Sequence, residues 1–167
     1  MTNYSLELRN IERSDFDKII SLNEESIQYT APMDIELLES LYVQAEVYYA
    51  VEVDGELEGF VIGLSKGKSY DSINYKWFSE KYDDFIYIDR IVVSNKMQGK
   101  GIGEILYNQI FEHAKNKGIL RITAEINIEP PNIVSLKFHQ KFNFIEVGKH
   151  FSKDGKKLLS LQSSELR

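Results

Sequence analysis

The chain has 167 residues, 43% of them hydrophobic and 28% charged, which suits a soluble globular protein with a buried core. It contains no cysteine, which excludes disulfides, thiolate metal sites and cysteine nucleophiles, and its three histidines are too scattered to predict a metal site. The net charge of −6 disfavours nucleic acid and anionic membranes as partners and suits a cationic one.

The N-terminal half predicts a strand, two helices and a hairpin. The predicted elements are a strand at 6–9, a helix capped by Ser14, a helix capped by Asp34, and strands at 47–53 and 57–64 joined by a turn at Asp54-Gly55. The first residues lack the basic flank and apolar core of a secretory signal, and no apolar run is long enough to span a membrane. We therefore expect a cytoplasmic protein.

Residues 65–84 are the least regular part of the pattern. They are mostly polar, yet they carry Tyr70, Tyr75, Trp77 and Phe78 between two clear strand patterns. This composition predicts a long loop, and loops of this length inside compact domains tend to be functional.

The C-terminal half alternates strands and helices. The predicted elements are a strand at 85–93, a helix from near Ile102 to about Lys117, a strand at 120–126, a helix from Asn132 to Lys141, and strands at 144–147 and 157–162. Asn143 follows the last helix, where a left-handed conformation is common. No linker or repeat divides the chain, so we predict one domain over residues 1–167.

A glycine-rich loop connects the strand at 85–93 to the helix that follows it. Its sequence is Gln98-Gly99-Lys100-Gly101-Ile102-Gly103. Glycines at a helix N-terminus expose backbone N–H groups to an anion, and the helix dipole adds positive potential, so the loop predicts a phosphate site. The spacing fits neither the G-x-G-x-x-G dinucleotide loop nor the Walker loop, which ends in Gly-Lys-Ser/Thr.

Two patterns together resemble the GNAT superfamily of N-acetyltransferases. Gln98-x-x-Gly101-x-Gly103 fits the Arg/Gln-x-x-Gly-x-Gly/Ala signature of that superfamily, and the stretch 132–144 is similar to its Asn-x-x-Ala/Ser-x-x-Leu/Phe-Tyr-x-Lys-x-Gly-Phe pattern. His139 stands where the family often has tyrosine, and Asn143 stands where it usually has glycine.

The resemblance implies both a fold and a reaction. The fold is α/β (α+β), with a central, mixed and mostly antiparallel sheet of about seven strands flanked by about four helices. The reaction is transfer of an acetyl group from acetyl-CoA to an amine by direct attack in a ternary complex. Two alternatives stay open: a non-catalytic acyl-CoA-binding regulatory module on the same fold, and an NTP-binding domain, which the loop spacing disfavours.

Coenzyme contacts are implied for the fourth strand, the glycine loop and the last helix. By resemblance the pantetheine arm lies between splayed strands four and five, and the amide of Val92 or Val93 polarises the thioester carbonyl. The implied residues are Ile91, Val92, Val93, Gln98, Gly99, Lys100, Gly101, Ile102, Gly103, Asn132, Ser135, Phe138 and His139. Asn132 is equally suited to cap the helix, and Lys100 to lie in solvent.

Three residues are candidates for proton transfer. Asp89 occupies the place of a family glutamate that accepts the proton of the amine, and Glu125 on the next strand is the second candidate. Asp89 has a structural alternative, an ion pair with Arg90 or Arg121. His139 could protonate the departing thiolate, or it could be a helix residue that packs against the cofactor or hydrogen-bonds to the backbone.

The acceptor site is predicted from aromatic and acidic residues on loops. A candidate wall, whose alternative role is a lid over the sheet edge, is formed by Tyr70, Tyr75, Trp77 and Phe78. The other candidate acceptor residues are Glu24, Tyr29 and Asp89. We expect a small-molecule or peptide amine as the acceptor, with no nucleic-acid, membrane or metal partner, and a homodimer is an open alternative.

Overall fold

The computed structural model describes residues 3–166, which form seven strands and five helices of more than one turn. These are β1 (Leu6–Asn10), α1 (Phe16–Glu25), α2 (Ile35–Gln44), β2 (Val47–Val53), β3 (Glu56–Ser65), α3 (Ile73–Lys81), β4 (Ile86–Val93), α4 (Ile102–Lys117), β5 (Arg121–Glu129), α5 (Ile133–Lys141), β6 (Ile145–Phe151) and β7 (Leu158–Glu165). One-turn 3-10 helices occupy Arg13–Asp15 and Asn95–Met97. Within residues 3–166, none of the helices is long and apolar enough to cross a membrane.

The strands form one sheet in the order β1-β2-β3-β4-β5-β7-β6. Neighbouring strands β1–β2, β2–β3, β5–β7 and β6–β7 are antiparallel, whereas β4–β5 is parallel. The parallel register joins Ile86 to Ile122 and Tyr87 to Thr123. A mixed, mostly antiparallel sheet of seven strands confirms the predicted fold class.

The chain divides into two compact units. The first takes in the residues up to Leu64 together with Asp89–Glu112, and the second takes in Ser65–Ile88 together with the residues from His113 onward. Each unit has its own apolar core. Fully buried side chains of the first unit include Ile19, Leu38, Phe60, Leu106 and Tyr107, and those of the second include Phe78, Phe85, Tyr87, Ile122 and Leu161.

Most predicted caps and turns are confirmed. Asp54 and Gly55 take positive φ angles of 51° and 84°, and Asn143 takes 63°, because short polar side chains and glycine tolerate the left-handed region. The side chain of Asp34 accepts a hydrogen bond from the Leu37 amide at 2.8 Å. The prediction for Ser14 is wrong, because the Asp15 carboxylate instead accepts the Glu12 N–H at 2.8 Å.

The prediction of a long loop at 65–84 is also wrong, because α3 occupies its centre. The Ser72 hydroxyl caps this helix by accepting the Tyr75 N–H at 3.2 Å. Tyr75 and Phe78, three residues apart on one face, are buried, at 3% and 0% exposed. Two core residues in an otherwise polar stretch give too weak a period to be recognised as an amphipathic helix.

Candidate functional site

The glycine loop of the first unit follows β4 and the one-turn helix Asn95–Met97, and it leads directly into α4. Gly99 and Gly101 take φ angles of 74° and 86°, which an L side chain adopts only under strain, and a Cβ at either position would meet no atom within 4 Å. The Gly101 carbonyl accepts the Ile105 N–H at 3.1 Å and so starts the helix. The loop therefore has open space beside both glycines at the N-terminus of α4, where an anion can approach the first turn of the helix without meeting a side chain.

The loop side chains are anchored at both ends of the loop. Ile102 is 1% exposed and fixes the first turn of α4 in the core. Gln98 donates from Nε2 to the Val93 carbonyl at 3.5 Å. The Lys100 ammonium donates to the Tyr4 hydroxyl at 3.0 Å and lies 5.2 Å from the centre of that ring. Lys100 is exposed, as its solvent alternative predicted, and its ammonium group also contacts Tyr4.

Asp89 lies beside Arg90 in the first unit, as its structural alternative predicted. The guanidinium Nε donates to Asp89 Oδ2 at 3.0 Å, and both side chains are about 5% exposed. Arg90 also donates from Nη1 to the Ala31 carbonyl at 2.6 Å and to Asn23 Oδ1 at 3.1 Å. Arg90 therefore ties the connection between α1 and α2 to β4 and balances the charge of Asp89.

Glu125 lies in the second unit, beside a tyrosine for which the sequence predicted no role. The Tyr87 hydroxyl donates to Glu125 Oε2 at 2.7 Å. The Tyr87 ring is held by two rings of α3, because its centre lies 5.7 Å from that of Tyr75 and 5.8 Å from that of Phe78. The proximity of Tyr87 to Glu125 could have been inferred from the parallel pairing of β4 with β5, because Tyr87 pairs with Thr123 and Glu125 lies two residues further along β5.

The last helix holds the other predicted coenzyme residues of the second unit. The Asn132 side chain accepts the Ser135 N–H at 3.2 Å, which confirms its predicted role as a helix cap. Phe138 packs edge-on against His139, with ring centres 5.4 Å apart, and His139 packs in the same way against Phe144 at 4.9 Å. His139 is 3% exposed.

The environment of His139 favours its packing role over its proton-donor role. Its Nδ1 lies 2.8 Å from the Ser135 carbonyl, and because a carbonyl can only accept, the proton of the neutral ring belongs on Nδ1. Burial lowers the pKa of His139 to about 4, although the hydrogen bond to Ser135 opposes the shift. The ring is neutral at pH 7, and its Nε2 carries a lone pair rather than a proton.

A pH series of stability measurements tests this assignment. As the pH falls from 6.5 toward 4, His139 takes up a proton in the unfolded chain but stays neutral in the folded chain. The free energy of unfolding therefore falls by about 1.4 kcal/mol per pH unit, and by about 3 kcal/mol in all. We expect His139→Asn, which keeps a donor near Ser135, to be less stable at pH 7 but to lose less stability on acidification. Urea unfolding at pH 7, 6 and 5 measures the difference, and parallel curves for the two proteins would contradict it.

The predicted acceptor residues fall into two groups. In the first unit, Glu24 is exposed in the last turn of α1, and Tyr29, in the connection to α2, is 49% exposed. In the second unit, Tyr75 is committed to the core, since its hydroxyl donates to the Ser65 carbonyl at 2.6 Å. Tyr70 and Tyr75 line a surface cavity of about 490 Å³ between the end of β3 and α3. The Trp77 indole packs closely against Gly148 of β6.

The chain is similar to known proteins over most of its length. The model of the acetyltransferase (GNAT) family matches residues 6–144. Similar solved structures include an N-acetyltransferase from Staphylococcus aureus, with 24% identity, a TM-score of 0.73, and coverage of 98% of this chain and 99% of that chain. No curated protein sequence matches the chain significantly.

Two further similar structures contain ligands. The yncA acetyltransferase of Salmonella typhimurium, solved with its cofactor acetyl-CoA, is 17% identical, with a TM-score of 0.72 and coverage of 97% of this chain and 94% of that chain. NAA60 of Arabidopsis thaliana, solved with a bisubstrate analogue, is 15% identical, with a TM-score of 0.76 and coverage of 96% and 98%. At these identities the likeness shows a shared fold.

Proposed function

Since this chain belongs to the acetyltransferase (GNAT) family and is an acetyl-CoA-dependent acyltransferase, we propose that it acetylates a small-molecule or peptide amine by direct attack in a ternary complex. The observation that carries the proposal is the glycine loop, in which Gly99 and Gly101 take positive φ angles and leave open space at the start of α4, where the first backbone amides of the helix lie. These amides, with the helix dipole, suit the pyrophosphate of the coenzyme. The backbone of Ile91, Val92 and Val93 on β4 is proposed to hold the pantetheine arm.

We assign the proton acceptor to Glu125. Its carboxylate oxygen Oε2 accepts a hydrogen bond from the Tyr87 hydroxyl at 2.7 Å, which orients the group that would take up the proton of the acceptor amine. Asp89 is the weaker candidate, because the guanidinium of Arg90 already balances its charge. Transfer of the ammonium proton to Glu125 frees the nitrogen lone pair, which attacks the thioester carbon. The nitrogen then loses a second proton as the C–S bond breaks, and the coenzyme leaves as a thiol that carries this proton.

Calorimetric titration with acetyl-CoA is the test of this function, with ATP and NAD as controls. We expect selective binding of acetyl-CoA, followed by turnover with members of a panel of cationic amines, aromatic amines and peptides with free N-termini. Binding without turnover across the panel would favour the alternative, a regulatory module that binds acyl-CoA. A well-folded protein that does not bind acetyl-CoA would rule out the proposal.

The identity of the acceptor is proposed only at the level of its chemical class. The structure of Arabidopsis thaliana NAA60 with a bisubstrate analogue supports an amine that meets the coenzyme directly. Glu24 and Tyr29, exposed around the connection between α1 and α2, stay candidates for acceptor contacts, as do Tyr70 and Trp77 in the second unit. A cytoplasmic location, a single domain, a homodimer and the absence of nucleic-acid or membrane partners stay predictions from the sequence.

A further inference from the structure

Glu58 of β3 holds the residues that lead into the glycine loop. The Ser94 amide, just after β4, donates to the Glu58 carbonyl at 2.8 Å. The Lys96 ammonium, in the one-turn helix that leads into the loop, pairs with Glu58 Oε1 at 2.8 Å. The Glu58 side chain is only 3% exposed, whereas that of Lys96 is 67% exposed. Glu58 therefore holds the residues that lead into the loop in two ways, through its backbone carbonyl and through its buried side-chain carboxylate.

Gly59, the next residue of β3, lets the first turn of α4 pack closely on that strand. A Cβ added to Gly59 would lie 2.7 Å from Cγ2 of Ile102 and 3.3 Å from the Val92 carbonyl oxygen. Ile102 is the first residue of α4 and is buried. Its Cγ2 branches directly from Cβ, so this methyl group cannot swing aside as the end of a flexible chain could. At this distance only glycine on β3 accommodates the first turn of α4.

We infer that the dipeptide Glu58-Gly59 positions the coenzyme loop, and that it does so without belonging to the loop. The inference rests on the proposed function. Gly99 and Gly101 make the loop conformationally permissive, so its shape depends on where its two ends are fixed. Fixing both ends on adjacent residues of one strand sets the distance between the Ser94 turn and the first amides of α4.

The substitution Gly59→Ala tests the exit side. We expect it to raise the Kd for acetyl-CoA about tenfold, because the added methyl group forces the first turn of α4 away from β3. The matched control is Gly148→Ala on β6, where the added Cβ would lie 2.5 Å from the Trp77 ring. This control overpacks the second unit to a similar degree and is expected to lower the melting temperature while the Kd for acetyl-CoA stays within about twofold of the parent value.

A second-site change makes the test specific for the contact. Leucine at position 102 lacks the methyl group on Cβ that Gly59→Ala would meet, so the double variant Gly59→Ala/Ile102→Leu is expected to recover most of the lost affinity. Ile102→Leu alone supplies the reference value for that comparison. Glu58→Gln tests the residues that lead into the loop. Loss of the charge pair with Lys96 is expected to raise the Kd for acetyl-CoA several-fold. This variant serves as the test if Gly59→Ala does not fold.

Calorimetry with acetyl-CoA on the full-length variants separates the outcomes. If the parent protein binds acetyl-CoA and both Gly59→Ala and Glu58→Gln bind it equally well, the positioning role is overturned and the proposed function stands. If Gly148→Ala weakens binding as much as Gly59→Ala, general destabilisation explains the loss and the positioning role is again overturned. If the parent protein does not bind acetyl-CoA, both the proposed function and the positioning role are overturned.

Discussion

Replacing Glu125 with glutamine is expected to lower kcat by about 100-fold or more while the Kd for acetyl-CoA stays unchanged. Glutamine keeps the shape of the side chain and can accept the hydrogen bond of the Tyr87 hydroxyl, which is 2.7 Å from the carboxylate, but it cannot take up a proton. The loss therefore reports on proton transfer rather than on packing.

The pH dependence of this variant gives a second readout. If Glu125 only removes the ammonium proton, the deficit shrinks as pH rises toward the pKa of the acceptor amine, because more of the amine is then neutral. Steady-state rates with an acceptor from the amine panel, at saturating acetyl-CoA and at several pH values, measure this trend. A kcat that matches the parent protein at every pH would contradict the assignment.

Two matched variants separate Glu125 from its neighbours. Asp89→Asn tests the other candidate base, and we expect a smaller loss of kcat because the Asp89 carboxylate is already paired with Arg90. Tyr87→Phe keeps the ring that packs between Tyr75 and Phe78 but removes the hydroxyl that orients Glu125. We expect Tyr87→Phe to act as a positioning variant, with a loss of kcat between those of Asp89→Asn and Glu125→Gln.

Replacing Gly101 with valine is expected to raise the Kd for acetyl-CoA by roughly 10- to 100-fold, since a side chain held in a left-handed conformation costs about 1–3 kcal/mol. Gly101 has a φ of 86°, and no atom lies within 4 Å of the Cβ it would gain, so the cost comes from the backbone and not from a clash. The loop relieves this strain by leaving the conformation that presents its amides.

A graded series and a control make this prediction sharp. Asparagine tolerates positive φ better than alanine, and alanine better than a β-branched residue, so the Kd is expected to rise in the order Gly101→Asn, Gly101→Ala, Gly101→Val. Gly155→Val places the same side chain at a φ of 74° in the turn between β6 and β7, again with no neighbour within 4 Å. Equal effects of Gly155→Val and Gly101→Val on the Kd would contradict the loop assignment.

Sequence reasoning succeeded where function depends on local backbone geometry. Gly99, Gly101 and Asn143 take the left-handed conformations that their residue types predict, and Asn132 caps α5 as expected. Each of these features is decided within a few residues of chain, so its signal lies in one short segment of the sequence.

Contacts between distant segments of the chain could not be predicted from the sequence. The Arg90 guanidinium meets Asn23 Oδ1, which lies 67 residues away, and the Tyr87 hydroxyl meets Glu125 from 38 residues away. The choice between Asp89 and Glu125 depends on these partners, and one strand pattern cannot reveal which side chain lies across from it. The sequence did not predict α3 for the same reason, because the two buried rings of this helix are recognisable as one helix face only from their contacts with Tyr87.

Trp77 is the single tryptophan of the chain, and it lies on the backbone of Gly148, where even one added methyl group would come within 2.5 Å of the indole. Its fluorescence therefore reports on the packing of α3 against β6, within the second unit alone. An unfolding curve followed by tryptophan emission reads that unit, whereas far-ultraviolet circular dichroism reads the helices and strands of both. Superimposable curves would mean that the whole chain unfolds as one cooperative system, and separated curves would mean that the unit carrying the glycine loop unfolds on its own.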